Sequence, residues 1–166
     1  IPKLVALVKA CREHVDNQLP GGFLEAAVDL ASWFLPNGKV VVTEDFGEEN
    51  EKVYRSRGYN AITDQVDVVV LINGGSASAS EILAGALKDH NVATLIGSQS
   101  FGKGSVQELL NVTRETSLKV TVARWLTPAG TTISESRLTP DVEVTDNPET
   151  PEDEVLEAAA EALRAQ

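Results

Sequence analysis

The stretch "VDVVVLI" (66–72) limits the possible folds of this chain more than any other segment. It is apolar at nearly every position, so it has no face to give to water. A strand of that kind belongs to a sheet covered on both sides. It leads into "NGGSASASE" (73–81), then the helical pattern "SEILAGALKDH" (80–90), then a second buried strand, "VATLIGS" (92–98). Strand, helix and strand form an α/β unit, expected to cross over right-handed. Elsewhere "FLEAAVDLASWFL" (23–35) predicts a helix ended by "PNGK", and "VVVTE" (40–44) a strand. "KVYRSRG" (52–58) reads as a more exposed strand, and "SLKVTVARWLT" (117–127) alternates as a sheet strand does. "SESRLTPDVEVT" predicts a loop and then a short edge strand, while "PEDEVLEAAAEALRAQ" predicts a helix with acids first and Arg164 near its end. The opening "IPKLVALVKAC" has apolar residues at helical spacing and is expected to form a short helix. The fold class is α/β, with strand-helix-strand units and a mixed sheet covered by helices. With no repeat or low-complexity linker, the 166 residues predict one domain over 1–166.

Composition narrows the function. Hydrophobic residues at 42% and charged residues at 23% are an ordinary globular balance. A net charge of −11 argues against nucleic acid or an anionic membrane as partner. No run of 18 apolar residues predicts a membrane span. Cys11 stands alone, which excludes an internal disulfide and a cysteine-based metal site. The chain opens without Met and without a visible signal segment, which points to processing or to a piece of something longer.

Chain lengths bring two chemical segments together. From Ser78 the helix runs for about 18 Å, and the following strand returns for about 20 Å. The loop "SQSFGKGS" (98–105) therefore comes back to the edge from which "GGSASAS" departs, the carboxyl edge where ligands bind in open α/β sheets. His90 sits about 18 Å from Ser78 at the far helix end, out of reach for a general base, and Asp89 does no better. No position argues for His14. Lysine 103 is the base that geometry leaves. An ordinary lysine titrates near 10.4, so the role asks for dry surroundings or a neighbouring cation. Phe101 and the strand ends are expected to supply an apolar wall, with Gly102 and Gly104 letting the backbone approach the serine. The helix N-terminus offers free N–H groups for a developing oxyanion.

Other readings compete for the same residues. Ser78-Ala-Ser-Glu81 is a capping-box pattern, in which Ser78 is only an N-cap. "GSQSFGK" (97–103) has phosphate-loop spacing, but Gly104 stands where Ser or Thr should hold Mg²⁺, and "SVQELLNV" reads as strand rather than helix. "SFGK" (100–103) matches S-x-x-K, which needs a helix that two glycines disfavour. "GGSAS" (74–78) nearly matches the esterase elbow around Ser76 but lacks its last glycine.

Taken together, "VVVLINGGSASASEILAGALKDHNVATLIGSQSFGKGSVQ", with "LKVTVARWLTPAG", "LTPDVEV" and "LPGGFLEAAVDLASWFLPNGKVVVTE", closely resembles the C-terminal processing peptidases, the tail-specific serine proteases of family S41. The resemblance covers roughly residues 19 to 145. It implies a ClpP/crotonase-like core and an endopeptidase that cuts near flexible, apolar C-terminal tails through an acyl-enzyme. By the family pattern the nucleophile is Ser78, the middle serine of S-A-S-A-S. The base is Lys103 of F-G-K-G, 25 positions on, and Gln107 orients it. The implied oxyanion donors are the amide of Ala79 and that of Gly21 or Gly22. No metal or organic cofactor is implied. The implied partners are unstructured protein or peptide C-termini and a substrate-binding PDZ domain for which this chain has no room. The implied location is the bacterial cell envelope or periplasm.

The chain departs from the family at "CREHVDNQLPGG", where Arg12, Glu13 and His14 replace the apolar strand found ahead of P-G-G. The segment reads as a poor central strand. The alternative function is therefore a binding module for apolar ligands or peptides that keeps the fold without peptidase activity.

Overall fold

The computed structural model describes residues 3–6, 22–59, 66–147, 149 and 151–165. In chain order the elements are β1 (Lys3–Ala6), α1 (Gly22–Ala31), β2 (Val40–Asp45), β3 (Glu51–Arg55), β4 (Asp67–Ile72) and α2 (Ala79–Asp89). They continue with β5 (Ala93–Gly97), β6 (Ser105–Asn111), β7 (Ser117–Leu126), α3 (Ile133–Ser136), β8 (Val142–Glu143) and α4 (Glu154–Ala165). The α/β class is as expected, with parallel and antiparallel strands divided between two sheets. One sheet has the order β1-β4-β5-β8, and the other β3-β2-β7-β6. All pairings in the first are parallel, and all in the second are antiparallel.

Strand β4 shows why its sequence is apolar throughout. Val68, Val70 and Ile72 enter a core with Leu35, Leu83, Leu87 and Leu95, while Val69 and Leu71 meet Ile96, Ala159 and Leu163. Alternate side chains thus feed two separate cores, with α1 and α2 involved in one and α4 in the other. Each buried Val, Leu or Ile contributes about 1.5–3 kcal/mol relative to exposure. Helix α2 is buried from Glu81 through Leu87. Its C-terminal end turns at Asn91, with φ 55°, and Val92 N–H donates to Leu87 O at 2.8 Å. Asparagine is one of the few residues that takes this left-handed conformation readily.

Three expectations are corrected. The opening segment supplies a strand, not a helix: Lys3–Ala6 pair in parallel with Asp67–Val70. A short apolar run suits either state, and here the open edge of β4 decides it. Helix α1 stops at Ala31, four residues before the expected end. There Ser32 Oγ donates to Val28 O at 2.6 Å, and its N–H is shared between the carbonyls of Val28 and Asp29 at 3.1 Å each. This side-chain bond competes with helix continuation and tightens the chain toward Pro36. Within "SESRLTPDVEVT" the loop begins with the last residues of α3, and the expected edge strand is β8. The irregular segment around Arg12–His14, Cys11 and Gly21 lies outside the described residues. Among the described residues no helix is long and apolar enough to cross a membrane.

The strand ends abut without room for side chains. Gly97 has φ 127°, and a Cβ there would come within 2.1 Å of Ile72 O. Ala at position 97 is expected to cost at least about 3 kcal/mol in denaturant unfolding, combining strain with a backbone clash. Gly130→Ala, at φ 80° with open space around it, is the control and should cost only about 1–2 kcal/mol. Equal losses at the two positions would show that the contact with Ile72 is unimportant.

Candidate active site

The returning loop arrives where chain lengths place it. Ile72 and Gly97 are register partners, Ser98 N–H donates to Ile72 O at 3.0 Å, and Phe101 N–H donates to Ser76 O at 2.9 Å. The turn after β4 is built by its own side chains. Asn73 Oδ1 accepts from Gly75 N–H at 2.8 Å, and Ser76 Oγ accepts from Asn73 N–H at 3.1 Å. Ser76 is 1% exposed, so its hydroxyl belongs to the turn rather than to an elbow nucleophile. Ser80 lies inside α2. Ser78, at the junction, is partly exposed and has φ 56° and ψ −116°. Non-glycine residues take such a conformation only where the surroundings over-determine it, and these positions concentrate at functional sites.

Among those surroundings, one side chain bonds the Ser78 amide directly. Glu81 is fully buried, at 0% exposure, and its carboxylate accepts four hydrogen bonds. Oε2 receives Ser78 N–H at 2.9 Å and Lys103 N–H at 2.9 Å. Oε1 receives Ser100 Oγ–H at 2.6 Å and Gly102 N–H at 2.6 Å. Because one oxygen holds both amides, the nitrogens of Ser78 and Lys103 are no more than about 6 Å apart. Ser100 Oγ in turn accepts Leu138 N–H at 2.8 Å, extending the network to the segment after α3. The capping-box reading of Ser78 and Glu81 is thus true in part, since Glu81 does reach back to the Ser78 amide. Its larger role, joining two loops, went unread in the sequence. The available signal was an acid on the buried face of an apolar helix, which has to find donors.

The network settles the competing motifs. Ser100 is spent on Glu81 and Leu138, and it is not helical with Lys103, so S-x-x-K does not apply. The segment after Lys103 is strand β6, whereas a phosphate loop would open a helix. His90 caps the far end of α2, with Nε2 2.7 Å from Val40 O, and Asp89 accepts Ala129 N–H at 2.8 Å. Both are remote from Ser78, as expected. His14 lies outside the described residues.

The remaining candidates are placed unevenly. Among the described residues Ala79 N–H has no acceptor, although its neighbours Ser78, Ser80 and Glu81 all donate. It is an open donor next to the Ser78 hydroxyl. Gly22 opens α1, which packs along α2, and no described hydrogen bond ties it to Ser78. Gln107 lies exposed on β6 opposite Thr121, just past a register shift, and does not bond Lys103. Lys103 is exposed, and no hydrogen bond joins its Nζ to Ser78 Oγ among the described residues. The expected apolar wall is not formed by Phe101, which is 59% exposed. The two glycines serve other neighbours than the serine. A Cβ on Gly104 would come within 2.2 Å of Ser134 N, and one on Gly102 within 2.9 Å of Arg137 Cγ. They let α3 and its following residue close over the lysine loop.

Known proteins resemble this chain in sequence and in fold. The sequence pattern of Peptidase family S41 matches residues 17–144. A carboxy-terminal-processing protease of Bartonella bacilliformis is 46% identical over 125 residues, covering 75% of this chain and 29% of that protein. A probable CtpA-like serine protease of Staphylococcus aureus is 42% identical over 125 residues, covering 75% of this chain and 25% of its own length. Among solved structures, the photosystem II D1 C-terminal processing protease superposes with a TM-score of 0.68 at 37% identity, covering 84% of this chain and 35% of that one. The chain belongs to peptidase family S41. It spans only 25% to 35% of the length of these relatives.

Removing the carboxylate tests the network. Glu81→Ala leaves three buried or half-buried amides and the Ser100 hydroxyl without their acceptor, and should lower the unfolding free energy by at least about 3 kcal/mol. A loss below about 1 kcal/mol would show that the two loops hold their positions without it.

Proposed function

We propose that this chain is the catalytic core of a serine endopeptidase that cuts proteins near flexible, apolar C-terminal tails, with Ser78 as nucleophile and Lys103 as general base. The observation that carries the reading is the shared oxygen of Glu81, which seats the backbones of Ser78 and Lys103 side by side at the carboxyl edge of the parallel sheet. In the first step Ser78 Oγ attacks the scissile carbonyl carbon while its proton passes to the neutral amine of Lys103. The oxyanion accepts the open N–H of Ala79, at the N-terminal end of α2 where the helix dipole favours negative charge. Collapse of the tetrahedral adduct expels the new N-terminal amine, which takes the proton from Lys103. Water, deprotonated by the same lysine, then releases the acyl group and restores Ser78.

Lysine acts as a base only when neutral, and exclusion of water favours that form. Lys103 and Phe101 are open to solvent, so in this reading the apolar tail itself covers them and dries the site. Gln107 acts by orienting the amine once it is covered, and Gly21 or Gly22 supplies the second oxyanion donor. The substrate is an unstructured C-terminus, the expected partner a PDZ domain, and the place of action the bacterial cell envelope, in keeping with relatives from two bacteria.

Labelling with a serine-reactive phosphonate followed by mass spectrometry should place the adduct on Ser78. Ser78→Ala and Lys103→Ala should each lose at least about 10³-fold in cleavage of an unstructured peptide with an apolar end while retaining the fold. Full cleavage by the lysine variant would remove Lys103 from the mechanism. A chain that binds the peptide yet neither labels nor cleaves would be the binding module instead.

A further inference from the structure

We infer that Arg137 is a specificity-determining residue that receives a substrate carboxylate beside the Ser78–Lys103 pair; the inference rests on the peptidase reading above. Arg137 has φ 50° and ψ 167°, a region that is almost reserved for glycine because a Cβ there crowds the backbone. The turn itself does not require arginine. Its backbone N–H donates to Ile133 O at 3.1 Å and ends α3, a task that glycine performs without strain. Arginine therefore carries a backbone cost here that glycine would not.

That side chain is aimed at the lysine loop. A Cβ built on Gly102 would lie 2.9 Å from Arg137 Cγ, 3.6 Å from Cδ and 3.5 Å from Nε, so the stem of Arg137 lies directly against Gly102. Gly102 precedes Lys103, and its own N–H is held by Glu81 Oε1 at 2.6 Å. The carboxylate that positions the pair therefore also fixes the surface on which the arginine rests. Among the described residues the Arg137 guanidinium has no ion pair and no hydrogen bond, and the residue is exposed. Arg57 and Arg124, by contrast, are each paired with an acid, at 2.6 and 2.8 Å. With 25 acidic residues against 14 basic ones, the molecule as a whole repels carboxylates. An unpaired guanidinium next to the site reverses that locally, and its planar fork matches a carboxylate through two hydrogen bonds. The carboxylate is either the free C-terminus of the tail or an Asp or Glu side chain close to the scissile bond.

The test uses one peptide sequence in three forms: a free C-terminal acid, its amide, and the amide with a glutamate beside the scissile bond. With the full chain, the form that carries the recognised carboxylate should exceed the plain amide in kcat/KM by about tenfold. Which form wins identifies the source of the carboxylate. Arg137→Gln keeps the stem on Gly102 and should bring the ratio to about one without raising the melting temperature. Arg137→Gly should also abolish the ratio, but raise the melting temperature as the strain is released. In Ser78→Ala, fluorescence anisotropy with the same labelled peptides should show the preference as a ratio of Kd. Equal handling of all three forms by the unmodified chain, or a preference that survives both substitutions, overturns the inference. A preference in binding without any cleavage sustains it and overturns the peptidase reading.

Discussion

A buried carboxylate is unstable unless donors surround it, and the donors of Glu81 come from two parts of the chain that are about twenty residues apart. Desolvating the acid makes the four hydrogen bonds obligatory, so the lysine loop cannot drift from the serine turn without exposing or stranding a charge. Hydrogen bonds to an ionised oxygen are also about twice as strong as neutral ones. The serine turn and the lysine loop are arranged around this one group. The strained turn at Ser78 and the seat of Arg137 on Gly102 are at donors to Glu81, and the open amide of Ala79 and the start of β6 are one and two residues from a donor.

The two strained residues take their stability from rigid neighbours. Ser78 follows a strand whose side chains fill cores on both faces of the sheet, and it precedes a helix buried along most of its length. Arg137 sits between Ile133 and Leu138, both buried, with the Leu138 amide held by Ser100. Such positions store strain only because packing on either side leaves the backbone no alternative. The side chains of Lys103 and Gln107 are less constrained, open to solvent, while the Lys103 amide is held by Glu81 and Gln107 lies in β6.

Much of this was legible in the sequence, and the reasons for success and failure differ in kind. The apolar run 66–72 and the lengths of the helix and strand after it were enough to bring Ser78 and Lys103 to one sheet edge, because both arguments rest on local geometry. The opening segment is ambiguous because eleven largely apolar residues do not distinguish a helix from a strand, and the free edge of β4, more than sixty residues on, makes the choice. Glu81 was read as one half of a capping box, which it is, but its other donors come from a loop that no local pattern announces. Gly102 and Gly104 stand out in the sequence, but the neighbours they admit do not. The space they leave is taken by Arg137 and by the backbone of α3, a contact visible only after folding. The exposure of Phe101 has a similar cause: hydrophobicity makes its burial favourable, but among the described residues it stays 59% exposed.

The claim at the centre is that the chain of hydrogen bonds through Glu81 holds a serine and a lysine ready to exchange a proton. A crystal structure with a peptide boronate bound at Ser78 measures this directly. The lysine Nζ should stand within about 3 Å of Ser78 Oγ, with the amides of residues 78, 102 and 103 still bonded to the glutamate. A bound adduct with that amine turned out into solvent, or with the glutamate released from the loop, would contradict it.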